Sequence, residues 1–320
     1  MKEVVFLDRN SKKWKEFETI LSDESHHDPD SIADLYIQLT DDLSYAQTFY
    51  PNSSTAEYLN QLSMTIHQEI YKNQKTKKGK FKQFWTTDLP LVLFQTRKQL
   101  LYSLLIFLTA TLLGVVSTMN DQSFVRAILG DNYVNMTIDN IKKGDPMAVY
   151  KQESQTEMFL GITVNNIKVS FMAFVFGMLT AFGTGYVLFN NGIMLGCFTY
   201  FFVENDLFWE TTRVIWIHGT LEISAIIISG AAGLVLGNSI VFPGTLPRKT
   251  SMQIGVSKGI KIIIGIIPMF ITAGFLEGYV TRHTEMPMWF SWIIIACSLL
   301  FVIWYFILHP KKVYQKLSKL

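Results

Sequence analysis

Polar and charged positions dominate residues 1–95, whereas residues 99–309 are mostly apolar runs separated by short polar breaks. This split predicts a small soluble helical domain followed by an all-α, polytopic membrane bundle. In the polar part, Trp14 to Leu21 has the spacing of a short amphipathic helix. Asp30 and Ser31 can cap a second helix beginning near Ile32, with Leu35, Ile37, Leu39, Leu43, Ala46 and Phe49 along it and Pro51 at its end. Ser53, Ser54 and Thr55 offer a cap for a third, whose face carries Tyr58, Leu59, Leu62, Ile66 and Ile70. Residues 1–74 therefore read as a helical hairpin forming a cytoplasmic head. Residues 75–98 read as a basic and aromatic interfacial linker, with Lys75, Lys77, Lys78, Lys80 and Lys82 beside Phe81, Phe84 and Trp85, and with Pro90 allowing a bend.

The apolar runs within residues 99–310 predict about six spans: Leu100–Val116, Ile167–Phe189, Ile193–Val203, Val214–Val241, Ile260–Tyr279 and Trp289–Leu308. The third is short, about 17 Å of helix, and reads as either re-entrant or extended to Phe208 or Trp209. Charge decides for a crossing. Lys75 to Lys98 precede the first span, Arg248, Lys249 and Lys258 follow the fourth, and Lys311, Lys312, Lys316 and Lys319 mark the tail, residues 311–320. The loop 118–162 is richer in acid, with Asp121, Asp131, Asp139, Asp145, Glu153 and Glu157. Six crossings place both termini in the cytoplasm and loop 118–162 outside. The N-terminal stretch lacks a signal-peptide core, so the first apolar run is expected to act as an uncleaved anchor.

Small residues recur every four positions along several spans: Ala173, Gly177, Ala181 and Gly185; Gly192 and Gly196; Ser229, Gly233 and Gly237; Gly274 and Gly278. This spacing lets helix backbones approach closely, and it serves packing within one chain or a homodimer equally well. Asn190-Asn191-Gly192 reads as a cytoplasmic turn, and Asn165-Asn166 as caps opening the second span at the outer face.

His218 and Glu222 stand one helical turn apart inside an apolar helix. A charge there costs roughly 2.5–3.5 kcal/mol on insertion scales, so the pair requires a partner. Candidates for Glu222 are His218 and Thr220 on its own helix, Asn165, Asn166, Lys168, Asn190 and Asn191. Glu277 reads as a wet interfacial acid, or as a residue reaching across to His218, and Glu204 as an acid near the outer interface. Three readings are open: a hydrogen-bonded clamp between helices, a proton or ion relay, and a metal-assisted hydrolase. The last lacks the His-Glu-x-x-His pattern of a zinc protease, and its third ligand would have to come from Glu204, Glu277 or His283. No metal or cofactor is expected. Composition adds only exclusions. A net charge of +2 argues against nucleic acid as a partner, and Cys197 and Cys297 both lie in apolar runs, which excludes a disulfide framework.

The run Asn190-Asn191-Gly192-Ile193-Met194-Leu195-Gly196, then Glu204, His218-Gly219-x-x-Glu222 with Ala225, and Ala232-Gly233-Leu234-x-Leu236-Gly237, resembles the stage II sporulation protein M family. Leu35-Tyr36, Asp42-Leu43, Ala46, Leu59-Asn60-x-Leu62, His67 and Ile70-Tyr71 extend the resemblance into the head. It implies an integral protein of the bacterial cell envelope, in the inner membrane. In spore formers the namesake works with peptidoglycan-degrading partners, while in other bacteria similar proteins accompany AAA+ ATPases of the MoxR type and von Willebrand A proteins. The extended head places this chain with the second group. The expected role is that of a scaffold or assembly component, with a transporter or channel as the alternative.

Overall fold

The computed structural model describes residues 2–22, 29–72, 79–151, 154–283 and 286–318, and every regular element among them is helical. The chain divides into two units, Met1–Lys80 and Phe81–Leu320.

In the first unit, α1 spans Glu3–Ser22, α2 Pro29–Phe49 and α3 Ser54–Lys72. The expected hairpin is a three-helix unit. α1 starts well before Trp14 because Phe6 shares a buried face with Trp14 and Phe17. These three rings pack with Leu39, Ala46, Ala56, Leu59, Leu62 and Ile66, while Ile37 and Phe49 face outward. The Ala56 N–H donates to Ser53 Oγ at 3.2 Å, which is the cap expected for α3. Polar bonds fix the pairing of helices: Trp14 Nε1 donates to Asp42 Oδ2 (2.8 Å), Lys13 pairs with the same carboxylate, and Thr55 Oγ1 donates to Glu3 Oε1 (2.6 Å). Burial and a bond to Glu18 Oε1 push the Tyr58 phenol up to about 12. The side chains of Ile32, His67, Ile70 and Tyr71, and residues Lys75, Lys77, Lys78, Glu153 and Lys319, lie outside the described residues.

The second unit opens with α4 (Lys80–Gln83), a π-helical turn over Phe84–Asp88 and α5 (Leu89–Gln95). Residues 81–98, read above as linker, thus belong to this unit, because Leu89, Val92 and Leu93 are buried in its core. The long helices are α6 (Arg97–Asn120), α9 (Gln155–Val175), α10 (Thr180–Glu204), α11 (Phe208–Val241), α12 (Arg248–Phe275) and α13 (Met288–Ile303). Between α6 and α9 lie α7 (Gln122–Leu129) and α8 (Asp131–Lys142), and α14 (His309–Leu317) closes the chain. Among the described residues, five apolar stretches are long enough to cross a membrane, and the one over Gln155–Glu204 contains α9 and α10.

That stretch is not one rod. A 3-10 turn over Phe176–Leu179 and the positive φ of Thr180 (66°) break it. Thr184 Oγ1 donates to the Ala173 carbonyl, eleven residues away, at 2.9 Å. A continuous helix would separate those residues by about 16 Å, so the chain doubles back here. The expected second span, Ile167–Phe189, therefore straddles the turn. Asn190-Asn191-Gly192 is no turn at all but the middle of α10, where Asn191 Nδ2 bonds the Val187 carbonyl of its own helix.

Glycine contacts set the register. A Cβ on Gly233 would meet Ala173 O and Thr184 Oγ1, one on Gly230 would meet Leu188, and one on Gly237 would meet Thr180 and Ala181. α11 thus runs antiparallel to α10 and parallel to α9. Gly192 abuts Phe107 and Ala110, and Gly196 abuts Thr111 and Gly114, which sets α6 parallel to α10. Gly274 meets Thr163, Gly278 meets Phe159, and Gly259 meets Phe174, so α12 opposes α9. Gly185, expected to pack, meets nothing within 4 Å, because Thr184 and Leu188 are the residues α10 turns toward α11. α11 is the central staff: 72% of its most apolar stretch is buried, against 22% for α6.

Successive long helices alternate in direction. One end gathers α5, the 176–180 turn, the 242–247 loop and α14, where Phe94 stacks on Tyr314 at 4.2 Å. The other end carries α7 and α8. Loop 118–162 is therefore a helical cap rather than an irregular loop, with Val125, Val134 and Met147 packed on Phe201, Phe202 and Val214. Burial there pushes the Tyr133 phenol up to about 12.

Candidate functional site

The site sits on α11, about three turns from its start, and on a π-helical turn over Leu276–Thr281 that continues α12. α11 can carry ionisable groups there because α9, α12 and the π turn cover that face. Its i, i+4 geometry stacks His218 over Glu222. Antiparallel packing brings the end of α12 alongside, and Glu277 and Thr281 repeat the same spacing from the facing helix. π turns are rare and recur at functional positions.

His218 is 4% exposed. Its Nδ1 lies 3.1 Å from Thr281 Oγ1, and its Nε2 lies 3.7 Å from Glu277 Oε2. In the tautomer that carries the proton on Nδ1, His218 donates to Thr281 Oγ1 while the Thr281 hydroxyl donates to the Leu276 carbonyl at 3.1 Å. That assignment leaves Nε2 as the basic nitrogen and turns it toward the carboxylates. The side chain of Asn166 of α9 is buried and faces Glu222. One ligand atom from each of His218, Glu222 and Glu277 lies within 4.8 Å of the others.

The structure thus brings together His218, Glu222, Glu277 and Asn166. Glu277 takes the reaching role and not the wet interfacial one, since its side chain is only 12% exposed. The other candidates fall elsewhere. Glu204 is exposed at the α7–α8 end, where Gln122 Nε2 donates to it at 2.6 Å. Asn190 is exposed on α10, and Asn165 and Lys168 are exposed on α9. The expected capping by Asn165 and Asn166 fails because α9 begins ten residues earlier. Ser154 caps it, accepting from the Glu157 N–H while its hydroxyl bonds the Glu157 carboxylate at 2.6 Å. His283 is exposed beyond the π turn. Thr281 escaped the sequence reading, although its four-residue offset from Glu277 mirrors that of His218 and Glu222.

Fold and site together define an α-helical membrane protein with an acid–imidazole cluster inside its bundle. The model of the family described as "Stage II sporulation protein M" matches residues 103–282, a stretch that holds the whole cluster. This chain belongs to that family. A second model, a domain of unknown function designated DUF8413, matches residues 4–72, the three-helix unit. The chain is similar to two proteins of Methanocaldococcus jannaschii. "Uncharacterized protein MJ0706" is 24% identical over 191 residues, covering 58% of this chain and 83% of that protein. "Uncharacterized protein MJ0793" is 27% identical over 128 residues, covering 38% and 70%. No solved structure matches.

Proposed function

We propose that this protein is a multi-pass scaffold or assembly component of the bacterial cytoplasmic membrane, crossing it six times with both termini in the cytoplasm. The observation that carries the reading is the central position of α11, which α6, α9, α10, α12 and α13 surround. Conduction calls for a wet path to the ionisable groups. The surface cavities of about 440 and 460 Å³ are lined by residues such as Asp88, Gln95, Lys258 and Lys261 at the opposite end from the cluster. The helical cap formed by α7 and α8 and the separate N-terminal helical unit suit docking instead. AAA+ ATPase-type or other envelope proteins are the proposed partners, and a homodimer is a further option. Purification of the tagged full-length chain from its native membrane, followed by mass spectrometry, tests this. A stoichiometric ATPase or wall hydrolase supports assembly, and an intact chain recovered alone counts against it.

The buried His218 and the half-buried Glu222 and Glu277 favour one rival, a proton or ion relay. In liposomes a relay gives flux that Glu222→Gln abolishes, whereas a scaffold gives none above the empty-vesicle background.

A further inference from the structure

We propose that His218 Nε2 and the carboxylates of Glu222 and Glu277 bind one divalent transition-metal cation of the zinc class, tying α11 to the end of α12 inside the bundle. The donor set is one imidazole nitrogen and two carboxylate oxygens, which suits zinc and its neighbours and not magnesium or calcium, which prefer oxygen alone. The distances fit. With metal–ligand bonds of about 2.0–2.1 Å, adjacent ligands of a tetrahedral site stand about 3.4 Å apart. His218 Nε2 and Glu277 Oε2 are 3.7 Å apart, so a movement of a few tenths of an ångström closes this edge of the site.

Charge points the same way. Two carboxylates face one another in a region where each charge is costly. A divalent cation cancels both and leaves the assembly neutral. The surroundings match those of a metal ligand shell: a ligating histidine normally gives its other N–H to an oxygen that fixes the ring, and Thr281 holds that position at 3.1 Å. Asn166 faces Glu222 from α9. The π turn presents Glu277 and Thr281 together to α11. The sequence objection to a metal was a third ligand without a spacing signature, and antiparallel packing supplies it. Metal content is read without reference to any partner, so this inference stands or falls apart from the scaffold reading.

The test uses full-length protein in detergent, stripped with a chelator, reloaded with Zn²⁺ or Co²⁺ and desalted. Elemental analysis is expected to find about one zinc per chain, and Co²⁺ to give the visible bands of a four-coordinate nitrogen–oxygen site. Glu277→Gln and His218→Ala are expected to fall to background, with monodisperse elution and unchanged helical circular dichroism establishing that they fold. Thr281→Val keeps all three ligands and is expected to weaken zinc binding roughly 10–100-fold. Glu204→Gln, at the exposed end, is expected to bind as the parent does. Equal zinc in the parent and in Glu277→Gln overturns the site. A parent with no retained zinc and no cobalt bands overturns it too, and that result needs no variant.

Discussion

At the residue scale, single side chains decide where helices begin and which faces meet. Asp121 caps α7 by accepting from the Ser123 N–H at 2.8 Å, and its bonds to Ser123 hold its carboxyl below the ordinary value. A depressed folded pKa stabilises the cap above the unfolded value, and that contribution is lost as pH falls through the folded one. The α7 amides are therefore expected to lose hydrogen-exchange protection only in acid, and Asp121→Ala to lose it already at neutral pH. Trp14 gives a second case. Trp14→Phe removes a bond to a charged acceptor, worth about 1.5–3 kcal/mol, and leaves a cavity where the second ring of the buried indole stood. Asp42 retains Lys13, which moderates the hydrogen-bond share of the loss, while the cavity adds to it. Hydrogen exchange within α1 and α2 of the intact chain measures it.

At the element scale, the bundle rests on helices in backbone contact. A side chain at Gly196 would meet Thr111 and Val115 backbone atoms, so neither can swing aside. Gly196→Ala should destabilise the protein by about 1–3 kcal/mol, the usual cost of overpacking. Gly185→Ala fills open space and should gain about 0.5–1 kcal/mol, the cost of glycine in a helix interior. Thermal unfolding in one detergent separates the two by sign. Thr180, with φ 66° and ψ −170°, sits where only glycine is at ease, at a cost of about 1–3 kcal/mol. Thr180→Gly should therefore raise the melting temperature. That turn also explains what could be read from the chain. The all-α class and the His218–Glu222 stack were legible because periodicity within one helix carries them. The α9–α10 reversal was not, because apolar residues run through Leu179 and Ala181 with no proline or Asn-Gly signal at the break. Asn190-Asn191-Gly192 offers such a signal, yet Gly192 is there to admit Phe107 and Ala110. Glu277 and Asn166 could be named but not placed, since their partner is set by register between helices distant in sequence.

At the scale of the whole molecule, the alternating helices sort charge between two ends. Lys82, Arg97, Lys98, Arg248, Lys249, Lys311 and Lys312 collect at the end that holds α5 and α14. The α7–α8 end carries Asp121, Asp131, Asp139, Glu204 and Asp206 among its charges. A membrane protein retains basic segments on the cytoplasmic side, and the bias acts through short loops such as 242–247. Six crossings satisfy this for every basic segment at once. If the Gln155–Glu204 stretch crossed once, α6 and α11 would pass through the bilayer in the same direction, against the parallel α6–α10 register. Cysteine labelling distinguishes the two. In a Cys297→Ser background, with Cys197 buried, single cysteines at Lys249 and Ser318 are expected to react only when a membrane-impermeant maleimide reaches the cytoplasmic face. A cysteine at Asn132, exposed on α8, should react only from the opposite face. Labelling of Asn132 and Lys249 from one side would remove the six-crossing topology, and with it the division into a cytoplasmic docking end and an outer cap.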